Sequence, residues 1–316
     1  MPNPSLALCI PAYRAASFLP RLLSSASRQT SPFDEIWVYD DCSPDDTATV
    51  AQRLGARVIR GERNVGCSSG KNILAAHTSC DWIHFHDADD DLRPDFVARA
   101  RACAAKPDCP DVVLFDYEYR DLSTDELICL RLFDDSALRA DPLRYAIVEQ
   151  INPFCGLYRK SAFLAAGGYD TDPAVLYNED CAFHIRLALA GLSFGAESGP
   201  PSIINLRREG SMSGTNQARC TTARLALLEK TAATAPARVH SDIASQAWIC
   251  ARHLACYQLH AELATAVKLA RSLGLQCPPD EPRWLRFLAY LAPVAVFRIR
   301  ALAVRMRAFA SSIPAA

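Results

Sequence analysis

The chain has 316 residues, half of them apolar, with 34 Lys and Arg against 35 Asp and Glu for a formal net charge of −1. That length predicts a sizeable buried core and more than one module, and 13 Gly with 20 Pro exclude fibrous and low-complexity classes. A partner whose phosphate backbone selects strongly cationic surfaces is not indicated, so no nucleic acid is expected.

The thirteen cysteines are odd in number, scattered from Cys9 to Cys277, and form no C-x-x-C pair. Several sit inside apolar runs as small hydrophobes, which predicts a reducing compartment. Met1-Pro-Asn-Pro-Ser has neither the basic start nor the apolar run of a signal peptide, and no eighteen apolar residues follow one another. A cytoplasmic protein is the expectation.

Over about the first 120 residues, strand-length apolar runs alternate with amphipathic segments, as in β-α units around a parallel sheet. Leu6 to Ile10 is the first strand, and Ser17 is a candidate cap for the helix carried by Leu19, Leu22, Leu23 and Ala26. Glu35 to Tyr39 follows, then the turn-rich Asp40 to Asp46 and a helix from about Thr47. Further strands are expected at 56–59, 82–85 and 112–115, with helices at 70–77 and 94–105 between them. Beyond Gln150 the pattern is mixed, with helices at 161–166 and 180–190 and a strand at 202–206. After about Arg219 the spacing predicts two or three helices, a linker at Cys277-Pro-Pro-Asp-Glu-Pro, and a basic amphipathic stretch over 283–309 that Pro293 should interrupt. The division expected is therefore 1–218 and 219–316.

His86-Asp87-Ala-Asp89-Asp90-Asp91 closes an apolar strand with four carboxylates in five residues. Two like charges about 4 Å apart repel by roughly 1 kcal/mol in water and roughly 4 kcal/mol at an effective dielectric of 20, so such a cluster asks for a cation. Oxygen ligands suit Mg²⁺ or Mn²⁺, and Mg²⁺ characteristically takes one or two carboxylates plus substrate phosphates. An arbitrary acid-rich turn is usually only solvated, but in open α/β sheets ligands bind outside the carboxyl ends of strands, where this one lies. Asp40-Asp41 follows the second strand in the same way, although it also fits a plain turn. Between the clusters, Asn64-Val-Gly66 and Gly70-Lys71-Asn72 place a cation at a helix start; Asn72 stands where a P-loop needs Ser or Thr.

In this order the motifs resemble those of the family 2 glycosyltransferases with a GT-A fold, over about residues 5–215. Leu8-Cys-Ile-Pro11-Ala-Tyr13-Arg14 is similar to the family's strand and I-P-x-Y-N, and Glu35 to Thr47 resembles its E-I-I-V-V-D-D-G-S-x-D-x-T block. Asn64-Val-Gly66 with Lys71-Asn72 resembles N-x-G and R-N; Trp82 to Asp90 resembles Y-I-x-F-L-D-x-D-D; Gly167-Gly-Tyr-Asp170 and Glu179-Asp180 resemble G-G-F-D and E-D. The resemblance implies an α/β fold with a mostly parallel, Rossmann-like sheet and an inverting hexosyl- or N-acetylhexosaminyl-transferase using a nucleotide-diphosphate sugar, with Mn²⁺ or Mg²⁺ as cofactor. It implies Pro11, Tyr13 and Asp41 as nucleoside contacts, Lys71 near the phosphates or ribose, Asp89 as direct metal ligand with Asp87 beside it, and Asp180 as catalytic base. The family often has a histidine before its late serine motif; here Arg208 stands there, and a guanidinium clamps a diphosphate rather than a metal. His84 and His86 share one side of a strand and are not expected to be ligands.

Such an enzyme implies a glycan or lipid-linked acceptor. The tail, with Arg283, Arg286, Arg298, Arg300, Arg305 and Arg307 among aromatic and aliphatic residues, suits either a membrane surface or packing on the catalytic part or a second copy as a homodimer. A dinucleotide oxidoreductase would need G-x-G-x-x-G where Ile10-Pro11-Ala-Tyr13 stands. A nucleotide-binding scaffold without turnover would have no use for Asp180.

Overall fold

The computed structural model of the chain describes residues 4–207 and 215–311. They fall into two compact units, one of residues 1–146, 150–171 and 179–211, the other of 147–149, 172–178 and 212–316.

The first unit runs β1 (Leu6–Ala12), α1 (Leu19–Ser27), β2 (Glu35–Asp40), α2 (Thr47–Arg53), β3 (Arg57–Arg60), α3 (Cys67–His77) and β4 (Trp82–Phe85). It continues with β5 (Asp91–Leu92), α4 (Phe96–Ala104), β6 (Val112–Phe115), β7 (Tyr117–Asp121), β8 (Leu127–Arg131), α5 (Asp135–Ala140), α6 (Pro142–Val148) and β9 (Gly156–Arg159). It ends with α7 (Lys160–Ala165), α8 (Glu179–Leu189), β10 (Phe194–Glu197) and β11 (Ile203–Arg207). Seven strands form the main sheet in the order β10-β6-β9-β4-β1-β2-β3. β1, β2, β3 and β4 are mutually parallel, and β9 runs antiparallel between β4 and β6. Leu6 to Ile10 are buried on both faces, as a central parallel strand demands.

A smaller sheet, β5-β11-β7-β8, starts directly after the acidic loop, so residues 87–90 are strung between the last residue of β4 and the first of β5. Asp90 fixes that loop to the small sheet: buried, it accepts from Asn205 Nδ2 at 2.7 Å and Leu206 N at 2.8 Å. Phe85 anchors an aromatic core with Tyr158, Phe163, Tyr169 and Phe183, the last two stacked at 3.9 Å and 8°.

Local differences from the sequence reading have physical causes. Ser17 does not cap α1; the Ala15 carbonyl accepts from both Phe18 N and Leu19 N, so a backbone turn begins the helix. α3 begins three residues early because Gly66, at φ 86°, turns the chain directly into it. Gly70 lets α3 lie against β2, since a Cβ there would fall 2.8 Å from the Tyr39 ring.

The second unit carries α9 (Gln217–Ala232), α10 (His240–Cys256), α11 (His260–Ser272), α12 (Arg283–Leu291) and α13 (Pro293–Ser311). α10 is its core helix: Trp248 is buried, donates from Nε1 to the Leu275 carbonyl at 3.1 Å and lies 6.0 Å from the Phe297 ring of α13. The basic tail is broken at Ala292, and Pro293 opens α13, where its missing N–H costs nothing. Arg271 reaches across to the Ala289 and Tyr290 carbonyls and satisfies the end of α12.

One tie holds α3 to the loop after α7. Asn72 Nδ2 donates to the Tyr169 carbonyl at 3.0 Å and its Oδ1 accepts from Tyr169 N at 2.8 Å, beside Gly168 at φ 63°. Asn72→Ala removes both partners at once. Its unfolding free energy should fall by about 1–3 kcal/mol, measured by denaturant titration; an unchanged midpoint would show that the tie is dispensable.

Candidate active site

The carboxyl ends of β1, β2 and β4 converge on one edge of the main sheet. After β1, Pro11 lies at the strand's end and Tyr13 is exposed, with the Arg14 guanidinium 5.3 Å from its ring. After β2, Asp40 is fully buried and accepts from Ser43 N at 3.0 Å. Asp41 accepts from Val65 N at 2.7 Å and Gly66 N at 2.9 Å. These bonds hold the segment before α3 against β2. The remaining lone pairs of Asp41 can still accept from a nucleoside base.

After β4, Asp87 and Asp89 are only partly covered, while Asp90 is spent on the small sheet. Burial, with Asp87 and Asp89 adding to it, pushes the Asp90 carboxyl well above the usual range, which suits a structural group rather than a ligand. Lys71, the fifth residue of α3, is 3% exposed with its Nζ 3.8 Å from Asp87 Oδ1 and 5.1 Å from the Tyr169 ring. Burial works against its charge; the Cys67 sulfur and the carboxyls of Asp87, Asp180 and Glu179 work for it, and the ammonium is held firmly protonated. A charged lysine with so little water needs such company.

Asp180 opens α8 and faces the same group of charges. Loss of hydration, then Glu179 and Asp87, raise its carboxyl to about 7, against the opposing pull of Lys71. Part of its surface still meets solvent, so the shift comes from the dense wall behind it and not from complete enclosure. His184 Nδ1 bonds the Asp180 carbonyl at 2.8 Å and its Nε2 lies 2.9 Å from the Tyr158 hydroxyl, which fixes the first turn of α8. Glu179 Oε2 and the Tyr169 hydroxyl are buried without a hydrogen-bond partner.

Those orphaned oxygens, and the carboxylates gathered around the Lys71 ammonium, leave an acid-rich cluster whose charge a bound cation would balance. Among the described residues no three His, Cys, Asp or Glu side chains come together to hold a metal. Asp87 and Asp89 alone fit a divalent ion only if a diphosphate supplies further oxygens. Arg208 lies outside the described residues. His84 and His86 are fully buried: His84 bonds the Gly156 carbonyl at 2.9 Å and the His86 ring at 3.0 Å, against Phe96 and Phe154. Burial keeps both neutral, with His86 lowered to about 3.

A mostly parallel sheet with an acid pair at the end of β4, leading into a smaller sheet, is the GT-A architecture of enzymes that handle nucleotide sugars. The pattern of glycosyl transferase family 2 matches residues 7–163, and over that stretch the chain belongs to this family. The succinoglycan biosynthesis protein ExoO of Rhizobium meliloti is 32% identical over 122 residues, covering 36% of this chain and 35% of that protein. The chain thus spans about a third of the length of the curated relatives it matches. TarS of S. aureus in complex with UDP-GlcNAc has the same fold, with a TM-score of 0.69 at 16% identity over 96% of this chain and 92% of that one. A mannosyltransferase from Pyrobaculum calidifontis in complex with GDP-Man and Mn²⁺ aligns with a TM-score of 0.58 at 16% identity over 95% and 84%.

Sequence reasoning singled out the carboxylates, Lys71 and Asp180, which the structure brings together, but not the Asn72 tie, the anchoring part of Asp90 or the orphaned Glu179. Lys71 lowers the Asp180 carboxyl, so Lys71→Met should move the Asp180 titration midpoint upward from about 7. Carbon-13 NMR of the side-chain carboxyl reads this directly, and a midpoint that stays put would separate the two groups.

Proposed function

We propose that the chain is an inverting glycosyltransferase, taking a hexosyl or N-acetylhexosaminyl group from a nucleoside-diphosphate donor to an acceptor hydroxyl. The observation that carries this reading is the buried Lys71 ammonium 3.8 Å from Asp87 at the end of β4, with the Asp180 carboxyl, raised to about 7 by burial, at the start of α8. In support, ExoO is named for succinoglycan biosynthesis, and the two solved structures sharing the fold hold UDP-GlcNAc and GDP-Man. Assembly of a cell-surface polysaccharide, lipopolysaccharide or glycoconjugate in the cytoplasm is the role that fits, with residues 1–218 as the catalytic part and a glycan or lipid-linked acceptor.

In this reading Pro11, Tyr13 and Asp41 hold the nucleoside and Lys71 sets positive charge near the phosphates. Asp89, with Asp87 beside it, would hold Mn²⁺ or Mg²⁺, which when bound neutralises charge on the leaving diphosphate. Arg208 would clamp that diphosphate. Asp180 accepts the acceptor's hydroxyl proton as the acceptor oxygen bonds to the anomeric carbon; the bond to the diphosphate breaks on the opposite face and its electron pair leaves with the diphosphate. A general base works best with a pKa close to the operating pH, which is where burial puts this carboxyl.

Asp180→Asn keeps the shape and removes the base. Transfer should fall by about 10²–10⁴-fold while donor affinity, by calorimetry with Mn²⁺, changes little. Retained transfer would end the assignment of Asp180, and donor binding without turnover in the unaltered chain would end the enzyme reading.

The pH dependence has a definite sign. Only the ionised carboxylate takes a proton, so kcat/KM should be full above about pH 7 and fall roughly tenfold per unit below it, not at the lower pH of an ordinary Asp. A flat profile from pH 5 to 8 would exclude Asp180 as the base.

A further inference from the structure

The second unit ends in helices with two apolar faces each. In α12, Leu285 and Ala289 are turned inward. On another face, Trp284, Phe287, Leu288 and Leu291, at i, i+3, i+4 and i+7, are 65%, 64%, 43% and 62% exposed. α13 repeats the arrangement: Phe297 and Ala301 are buried, while Ile299, Leu302 and Met306 form an exposed stripe at i, i+3 and i+7. Water is a poor neighbour for this much aromatic and aliphatic surface, which marks an interaction site.

Charge selects the occupant. Six arginines and no acid lie between residues 283 and 316, two of them, Arg283 and Arg286, on the helix that carries Trp284 and Phe287. A second copy presenting the same face would bring no acid to answer these arginines, since none lies between residues 283 and 316, so a symmetric pair is disfavoured. No helix among the described residues is long and apolar enough to cross a membrane. An anionic bilayer surface meets both requirements, taking the rings and aliphatic chains at the acyl boundary and the guanidinium groups among lipid phosphates.

We propose that the outward stripes of α12 and α13 dock the chain on an anionic lipid surface. The proposal goes beyond the catalytic reading and is independent of it, because its readout needs no turnover.

The test uses the full chain and sedimentation with vesicles of phosphatidylcholine, with and without phosphatidylglycerol. Binding should be strong only when phosphatidylglycerol is present and should fall with added salt. Arg283→Gln with Arg286→Gln should weaken it roughly tenfold or more, and Trp284→Ser with Phe287→Ser comparably, with circular dichroism and melting unchanged. The single Trp284→Phe variant keeps the contact and guards against misfolding: it should bind as the unaltered chain does but lose most of the blue shift in tryptophan emission. Equal binding to both vesicle types, or vesicle binding indifferent to the double variants, overturns the proposal. So does a dimer that the Trp284→Ser, Phe287→Ser chain fails to form while vesicles are ignored, which would assign the face to a second copy.

Discussion

One buried ammonium organises the first unit. Lys71 is nearly without water, and its charge survives because carboxylates from two separate places, Asp87 after β4 and Glu179 with Asp180 at the start of α8, are gathered around it. The reverse also holds. Removing the ammonium would leave several acids facing one another with little solvent between them, a state that folding cannot sustain cheaply. The acid loop, Lys71 of α3 and the mouth of α8 are therefore mutually dependent in position, although α8 begins about a hundred residues after α3.

The rest of the unit keeps those three pieces in place with backbone contacts. Asp41 draws the segment before α3 against β2 through two N–H bonds, and Asn72 joins the same helix to residue 169. Asp90 ties the acid loop to β11, and His184 braces the opening of α8. Each of these side chains bonds main chain and so fixes geometry. Tyr169 joins the two functions: it packs flat on Phe183, takes the Lys71 ammonium over its ring, and ends in a hydroxyl with no partner.

The parallel half of the main sheet was legible because most of its strands are apolar runs bounded by turn residues, from Leu6–Ala12 to Val112–Phe115. Five strands escaped, β5 and β7 to β10, most of them short or without a clean alternation. β5 has two residues; β10 reads Phe-Gly-Ala-Glu; β8, Leu-Ile-Cys-Leu-Arg, is apolar yet exposed, against the alternation expected of an edge. The candidate site was legible by residue type and order, since acids recurring at the carboxyl ends of successive parallel strands point to a ligand where a lone acid-rich turn does not. Its ties were not, because an Asn–backbone pair spanning 97 positions leaves no local trace. That Asp90 would turn inward while its neighbours turn out also depends on a strand more than a hundred residues later.

The reversed strand β9 has a consequence for how the molecule could diversify. Parallel strands present their following loops at the carboxyl edge, but β9 enters the sheet there, with Gly156 opposite Leu114 and Leu157 opposite His84. The segment that arrives at the cleft rim is therefore the one before the strand, 150–155, where Asn152 already bonds the Tyr117 hydroxyl. Insertions at that approach would reshape the surface beside the acid loop without shifting register anywhere in the sheet, which makes it a tolerant place for change.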